Sequence, residues 1–125
     1  MAPRKSLTRP TVRLVLAVLV LAAAVWVGHR QWRQRQLILD ENCAVELQNQ
    51  AQYAQAVGAY GALLPKLQGE AAQRVKSNLA ACYVGMSEDP SLTGTEVLEL
   101  QRQAYELDPR AVTNPAILKR FEAGP

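Results

Sequence analysis

Between Arg13 and His29 lies LVLAVLVLAAAVWVG, fifteen residues without a charge or a strong hydrogen-bonding side chain. At 1.5 Å per residue the run makes roughly 22 Å of helix. A bilayer core is about 30 Å thick and wants about 20 residues. Thr11 and Val12 extend the run if Arg13 snorkels toward the headgroups. Trp26 and Trp32 stand where interfacial aromatic side chains gather. Arg13, Trp26, Arg30, Trp32 and Arg33 are therefore the expected membrane-interface anchors. Three structures hold such a run: a spanning signal anchor, a cleaved signal peptide using Ala22-Ala23-Ala24, or a buried core helix. Flanking arginines fit a soluble core poorly, and Val25-Trp26-Val27 continues the run past the alanines. Both facts favour the anchor, with cleavage as the alternative.

The flanks explain the charge. The chain carries 14 basic and 11 acidic residues, a net +3, which alone suggests nucleic acid or an acidic partner. Residues 1–36 hold seven of the basic residues and no acid, whereas residues 37–125 hold seven basic against eleven acidic, a net −4. The basic surplus thus borders the apolar run, and HRQWRQR reads as an anchor to anionic lipid rather than a nucleic-acid site. Arg4, Lys5, Arg9, Arg13 and the amino terminus precede the span; Arg30, Arg33 and Arg35 follow it. The positive-inside rule then favours a cytoplasmic N-terminus by a narrow margin. The expected location is a bacterial inner membrane, single-pass, with the C-terminal domain in the periplasm.

From Leu37 onward no strand pattern occurs, and the helix formers Ala, Leu, Gln and Glu dominate. Breaks at Asn49–Ala51, Pro65 to Gly69, Asp89 to Gly94 and Asp108-Pro109 delimit four helices of 13–17 residues. A fifth runs from Asn114-Pro115 to Phe121, with Asn114 as N-cap and Pro115 as first helical residue. Thr93 or Thr95 suits the cap of the fourth helix, with Glu96 as the acid of a capping box. No clear breaker separates Gly28 from Asn49, so the apolar helix runs on into the first soluble one unless it bends near Gly28-His29.

Two stretches share one pattern. In the second, Asn78-Leu79-Ala80 and Tyr83 lead to Val97, Leu98, Ala104 and the closing ELDPR. In the first, Asn42, Ala44 and Leu47 lead to Tyr53, Ala56, Val57 and Tyr60. This pattern resembles the tetratricopeptide repeat over about residues 38–110. The resemblance implies close packing of Ala44 on Ala56, and of Ala80 on Val97 and Ala104. Leu47, Tyr60, Leu79 and Tyr83 would fill the space between layers. Gly58 and Gly61 read as close-approach sites. Departures are the lengthened turn SEDPSLTG, Cys43 in place of Leu, Gln101 where an aromatic is common, and Pro65 near the end of a helix. The expected fold class is all-α: one transmembrane helix, then a small domain of two helix–turn–helix units and a capping helix. The corresponding divisions are a basic tail at 1–11, the span and stalk at 12–36, the repeats at 37–112 and the cap and tail at 113–125.

In the family, first helices line a groove that receives a partner peptide. The matching positions are Glu41, Val45, Gln48 and Asn49 in the first unit, and Ser77, Asn78, Ala81 and Val84 in the second. The carboxylate-clamp variety of the family needs basic and Asn side chains where this chain has Glu41 and Val45, so that ligand is not implied. Catalytic chemistry has little to draw on. His29 is the single histidine, at the membrane edge, and there is no CxxC pair. No Gly-rich phosphate loop follows a strand. Glu88-Asp89 falls in a turn, where capping is the usual role. No enzyme, cofactor or metal is expected, and no nucleic acid. Cys43 and Cys82 are either a disulfide closing a 38-residue loop or two buried thiols. Two repeats are fewer than the roughly three that stand alone. The implied function is a membrane-anchored adaptor or assembly factor that binds another protein. The alternative is a small structural subunit of a membrane complex, packed through its span.

Overall fold

The computed structural model describes residues 9–124. The basic side chains Arg4 and Lys5, and most of the expected N-terminal tail, lie outside the described residues. The described chain is all-helical, and it divides between Gln36 and Leu37 into two units.

The first helix, α1, runs unbroken over Arg9–Asn49, Gly28-His29 included. In the first unit its large apolar side chains are bare; Leu21 is 68% and Trp26 62% exposed. The most apolar 18-residue window of this helix has a mean hydropathy of 2.3 and is 0% buried. The run is therefore not the core helix of this fold. It is long and apolar enough to cross a membrane.

The second unit holds the end of α1, then α2 (Tyr53–Leu63), α3 (Gly69–Ser87), α4 (Gly94–Leu107) and α5 (Pro115–Glu122). The α1–α2 turn is a Schellman closure: the Gln52 N–H donates to the Leu47 carbonyl and the Ala51 N–H to that of Gln48. Ala51 occupies the left-handed position at φ 58°, where glycine is the usual choice. Pro65 diverts the end of α2 into a 3-10 turn over Leu64–Lys66, so α2 has 11 residues, fewer than its spacing predicts. Gly69, at φ 63°, opens α3, which runs to 19 residues. Thr93 rather than Thr95 caps α4. Its Oγ1 accepts from the Glu96 N–H at 3.3 Å, and its own N–H donates to Glu96 Oε2 at 2.9 Å. Asn114 caps α5 through the Ala116 N–H at 3.0 Å.

Successive helices pack on one another, α2 on α3, α3 on α4, and α4 on α5. One core cluster joins Ala44, Ala56, Tyr60, Leu63, Val75, Leu79 and Cys82. A second joins Ala80, Ala104 and Val112, with Tyr83, Ile117, Leu118 and Phe121 packed against it. The four alanines are completely buried, which lets helix backbones approach closely. Val97, expected beside Ala80, is only half-buried and lies outside that cluster. Gly58 and Gly61 are corrected outright. Both are exposed, with open space where a Cβ would stand. They sit on the outer face of α2, because the inner face is taken by Ala56, Tyr60 and Leu63.

The close approach falls instead at Gly85, where a Cβ would lie 2.6–2.8 Å from the ring of Tyr53. Gly85→Ala should push that ring off α3 and cost about 1–3 kcal/mol. Gly58→Ala should gain up to about 1 kcal/mol of helix propensity. Urea denaturation in detergent checks both, and the Gly85→Ala cost should shrink in a Tyr53→Ala background.

Candidate functional site

Arg13, Trp26, Arg30, Trp32 and Arg33 are all exposed on α1. The Arg30 guanidinium stands 5.5 Å over the Trp26 ring, and Trp32 stacks with His29 at 6.3 Å. Arg30 lies one helical turn beyond Trp26 and Arg33 two turns beyond it, so cations and an aromatic ring share a face. Such pairs suit the boundary between acyl chains and headgroups.

In the second unit, Glu41, Val45 and Gln48 recur at helical spacing on α1, as do Ser77, Ala81 and Val84 on α3. Most of these side chains are engaged within the fold. Glu41 receives two bonds from Arg74 of α3, Nε to Oε1 at 2.6 Å and Nη2 to Oε2 at 2.9 Å. Gln48 Oε1 accepts from the Tyr60 hydroxyl at 2.8 Å. Ser77 Oγ donates to Asp108 Oδ2 at 2.9 Å. Asn78 is half-buried near the Tyr60 hydroxyl. Val45 packs against the first core cluster and Val84 against the second. Asn49 and Ala81 remain exposed. The structure thus ties the α1 positions to α2 and α3, and Ser77 to the end of α4.

These contacts set the local titration behaviour. The hydrogen bond from Arg74 holds the Glu41 carboxyl below the usual range, against the opposing effect of burial. Arg110 and then Ser77 hold the buried Asp108 below it too. Burial pushes the Tyr60 hydroxyl up to about 12. It also raises the Cys82 thiol to about 11. Both cysteines are free. Cys82 is in the core as expected of a small hydrophobe, but Cys43 is exposed rather than buried. It lines a shallow hollow with Asp40, Ala59 and Lys66.

An open cleft of about 590 Å³ lies elsewhere, between the α1–α2 turn and the α3–α4 connection. Tyr53, Ala54, Gly85, Met86, Leu92 and Leu100 form its body, and Glu88 and Asp89 its rim. None of the eight expected groove positions lines it. Two signals in the sequence point toward it: the extended turn SEDPSLTG, and an aliphatic residue, Leu92, inside that polar turn. Among the described residues no group of three or more His, Cys, Asp or Glu is placed to hold a metal ion. Comparison with protein-family models, with curated proteins and with solved structures found no match.

Depressed carboxyl pKa values stabilise the fold above the unfolded range of about 4, and that stabilisation drains away as pH falls through the folded values. The melting temperature should therefore hold from pH 7 to about 5 and decline below about 4. Asp108→Asn should melt at least about 4 °C lower at pH 7 and show a shallower acid decline. Equal melting at pH 7 would remove Asp108 from this account. For the thiols, a maleimide should label Cys43 in the native protein and Cys82 only after denaturation.

Proposed function

We propose that this chain is a membrane-anchored protein-binding module, an adaptor or assembly factor. Its second unit is a small domain similar to the tetratricopeptide repeat. The Glu41–Arg74 pair is the observation that carries the reading. It joins the first helices of the two helix–turn–helix units across 33 residues of sequence, which is the layer-on-layer contact that stacked repeats make. The buried alanines at matched places, Ala44 with Ala56 and Ala80 with Ala104, support the same arrangement.

The anchor rests on the bare apolar face of α1, whose burial in lipid would remove a large apolar surface from water. The arginine distribution favours the N-terminus in the cytoplasm and the acidic unit outside it. In a bacterial cell of the Gram-negative kind the module would then face the periplasm. A partner would be another protein of the same membrane, and no cofactor enters.

The alternative function, a subunit packed through its span, draws on Ala17, Ala22, Ala23, Ala24 and Gly28. All five are exposed on α1 and small enough to admit a neighbouring helix.

Exchanging residues 12–28 for an unrelated apolar helix separates the two readings. The adaptor should keep its partner in co-purification from membranes, and the packed subunit should lose it. The intact mass of the protein taken from membranes should begin at or near Met1. A mass that begins beyond Ala24 overturns the anchor in favour of a cleaved signal.

A further inference from the structure

The cleft at the α3–α4 connection has no counterpart among the groove positions that the repeat resemblance implies. It is built from the part of the chain that departs from the repeat, the lengthened turn after Ser87.

Its walls are set in advance. Asp89 Oδ1 accepts from the Ser91 N–H at 2.9 Å and the Ser91 hydroxyl at 2.8 Å, which closes the loop on itself. The Thr93–Glu96 capping box holds the far end of the loop. Gln101 Nε2 donates to Ser87 Oγ at 2.7 Å, fixing α4 against the end of α3. On the opposite wall the Tyr53 ring lies against Gly85, which has no side chain to displace it. A cleft already ordered in this way spares an incoming ligand the cost of ordering it. Its volume, about 590 Å³, falls in the range of about 300–1,000 Å³ typical of binding clefts.

The chemistry is of two kinds. Met86, Leu92 and Leu100 offer aliphatic and thioether surface, and methionine adapts readily to the shape of a guest. Glu88 and Asp89 stand at the rim, and no lysine or arginine lines the cleft. We propose that this cleft docks a segment of a partner protein that carries aliphatic side chains flanked by lysine or arginine. The proposal rests on the protein-binding reading above and names the partner's chemistry. An acidic segment would meet two carboxylates of like charge. A lipid acyl chain would fill the body and leave the rim carboxylates without a counter-charge. The acidic unit of a second copy would bring a net −4 toward them.

Photo-crosslinking of the full chain in its native membrane tests this. A benzophenone amino acid replaces Leu92 on one wall or Ala54 on the other, and Ala81 on the exposed face of α3 serves as comparison. The second cleft position keeps the test decisive if the Leu92 substitution lowers the melting temperature. Mass spectrometry then reads the crosslinked segment. The expected result is a protein segment with aliphatic residues and flanking Lys or Arg, whose yield drops about fivefold or more with Glu88→Lys. Adducts to lipid, to a second copy or to an acidic segment overturn the proposal, as does a yield indifferent to Glu88→Lys. Adducts from Ala81 alone overturn it while leaving the protein-binding reading intact. No protein adduct from any of the three positions removes both.

Discussion

Everything in the second unit depends on how closely its helices approach, and four completely buried alanines set that distance. Ala44 and Ala56 admit α2 to the end of α1; Ala80 and Ala104 admit α4 to α3. With those seams closed, Tyr60, Val75, Leu79 and Cys82 fill the space between them, and Tyr60 is buried along its whole ring. A larger side chain at any of the four would hold two helices apart and strip contacts from every neighbour. Burying Tyr60 obliges its hydroxyl to find a partner, and Gln48 supplies one. The apolar packing therefore dictates the polar contacts around it.

The polar contacts do a second task, that of register. Asp108 accepts from Ser77 and from the backbone and side chain of Arg110, so one buried carboxylate ends α4, starts the 3-10 turn Pro109–Ala111 and holds both to α3. Glu41 and Arg74 do the same between α1 and α3, nearer the surface. Among the described residues no buried side-chain nitrogen or oxygen lacks a hydrogen-bond partner. That completeness is what a packed helical unit requires, since an unmet buried polar atom costs about 1–3 kcal/mol.

What was legible in the sequence is what local chemistry controls. Proline at 65, the Thr93–Glu96 box and Asn114-Pro115 act on their own backbone, so they mark helix ends without reference to the rest of the chain. The alanine positions were legible too, through the repeat pattern that the two stretches resemble. Contacts between distant segments were not. A helical period shows that Glu41 shares a face with Gln48, but not that Arg74 stands opposite. The small residues misled in one place: Gly58 and Gly61 look like sites of close approach, yet Tyr60 turns the other face of α2 inward. Gly85, which carries the actual close approach, is unremarkable in sequence because its neighbour Tyr53 lies 32 positions earlier. The cleft escaped for a similar reason, since its two walls come from connections on different helices.

The position of α3 has one more consequence. Val75, Leu79 and Cys82 belong to one core cluster and Ala80 to the other, all within two turns of the same helix. No plane can be drawn between the two helix–turn–helix units that leaves each with a covered core. Local opening has nowhere to stop: fraying that reaches α3 from either side exposes both clusters together. A repeat array of many units can melt from its ends one unit after another. This unit is too short for that, and shared burial through α3 should make its opening cooperative.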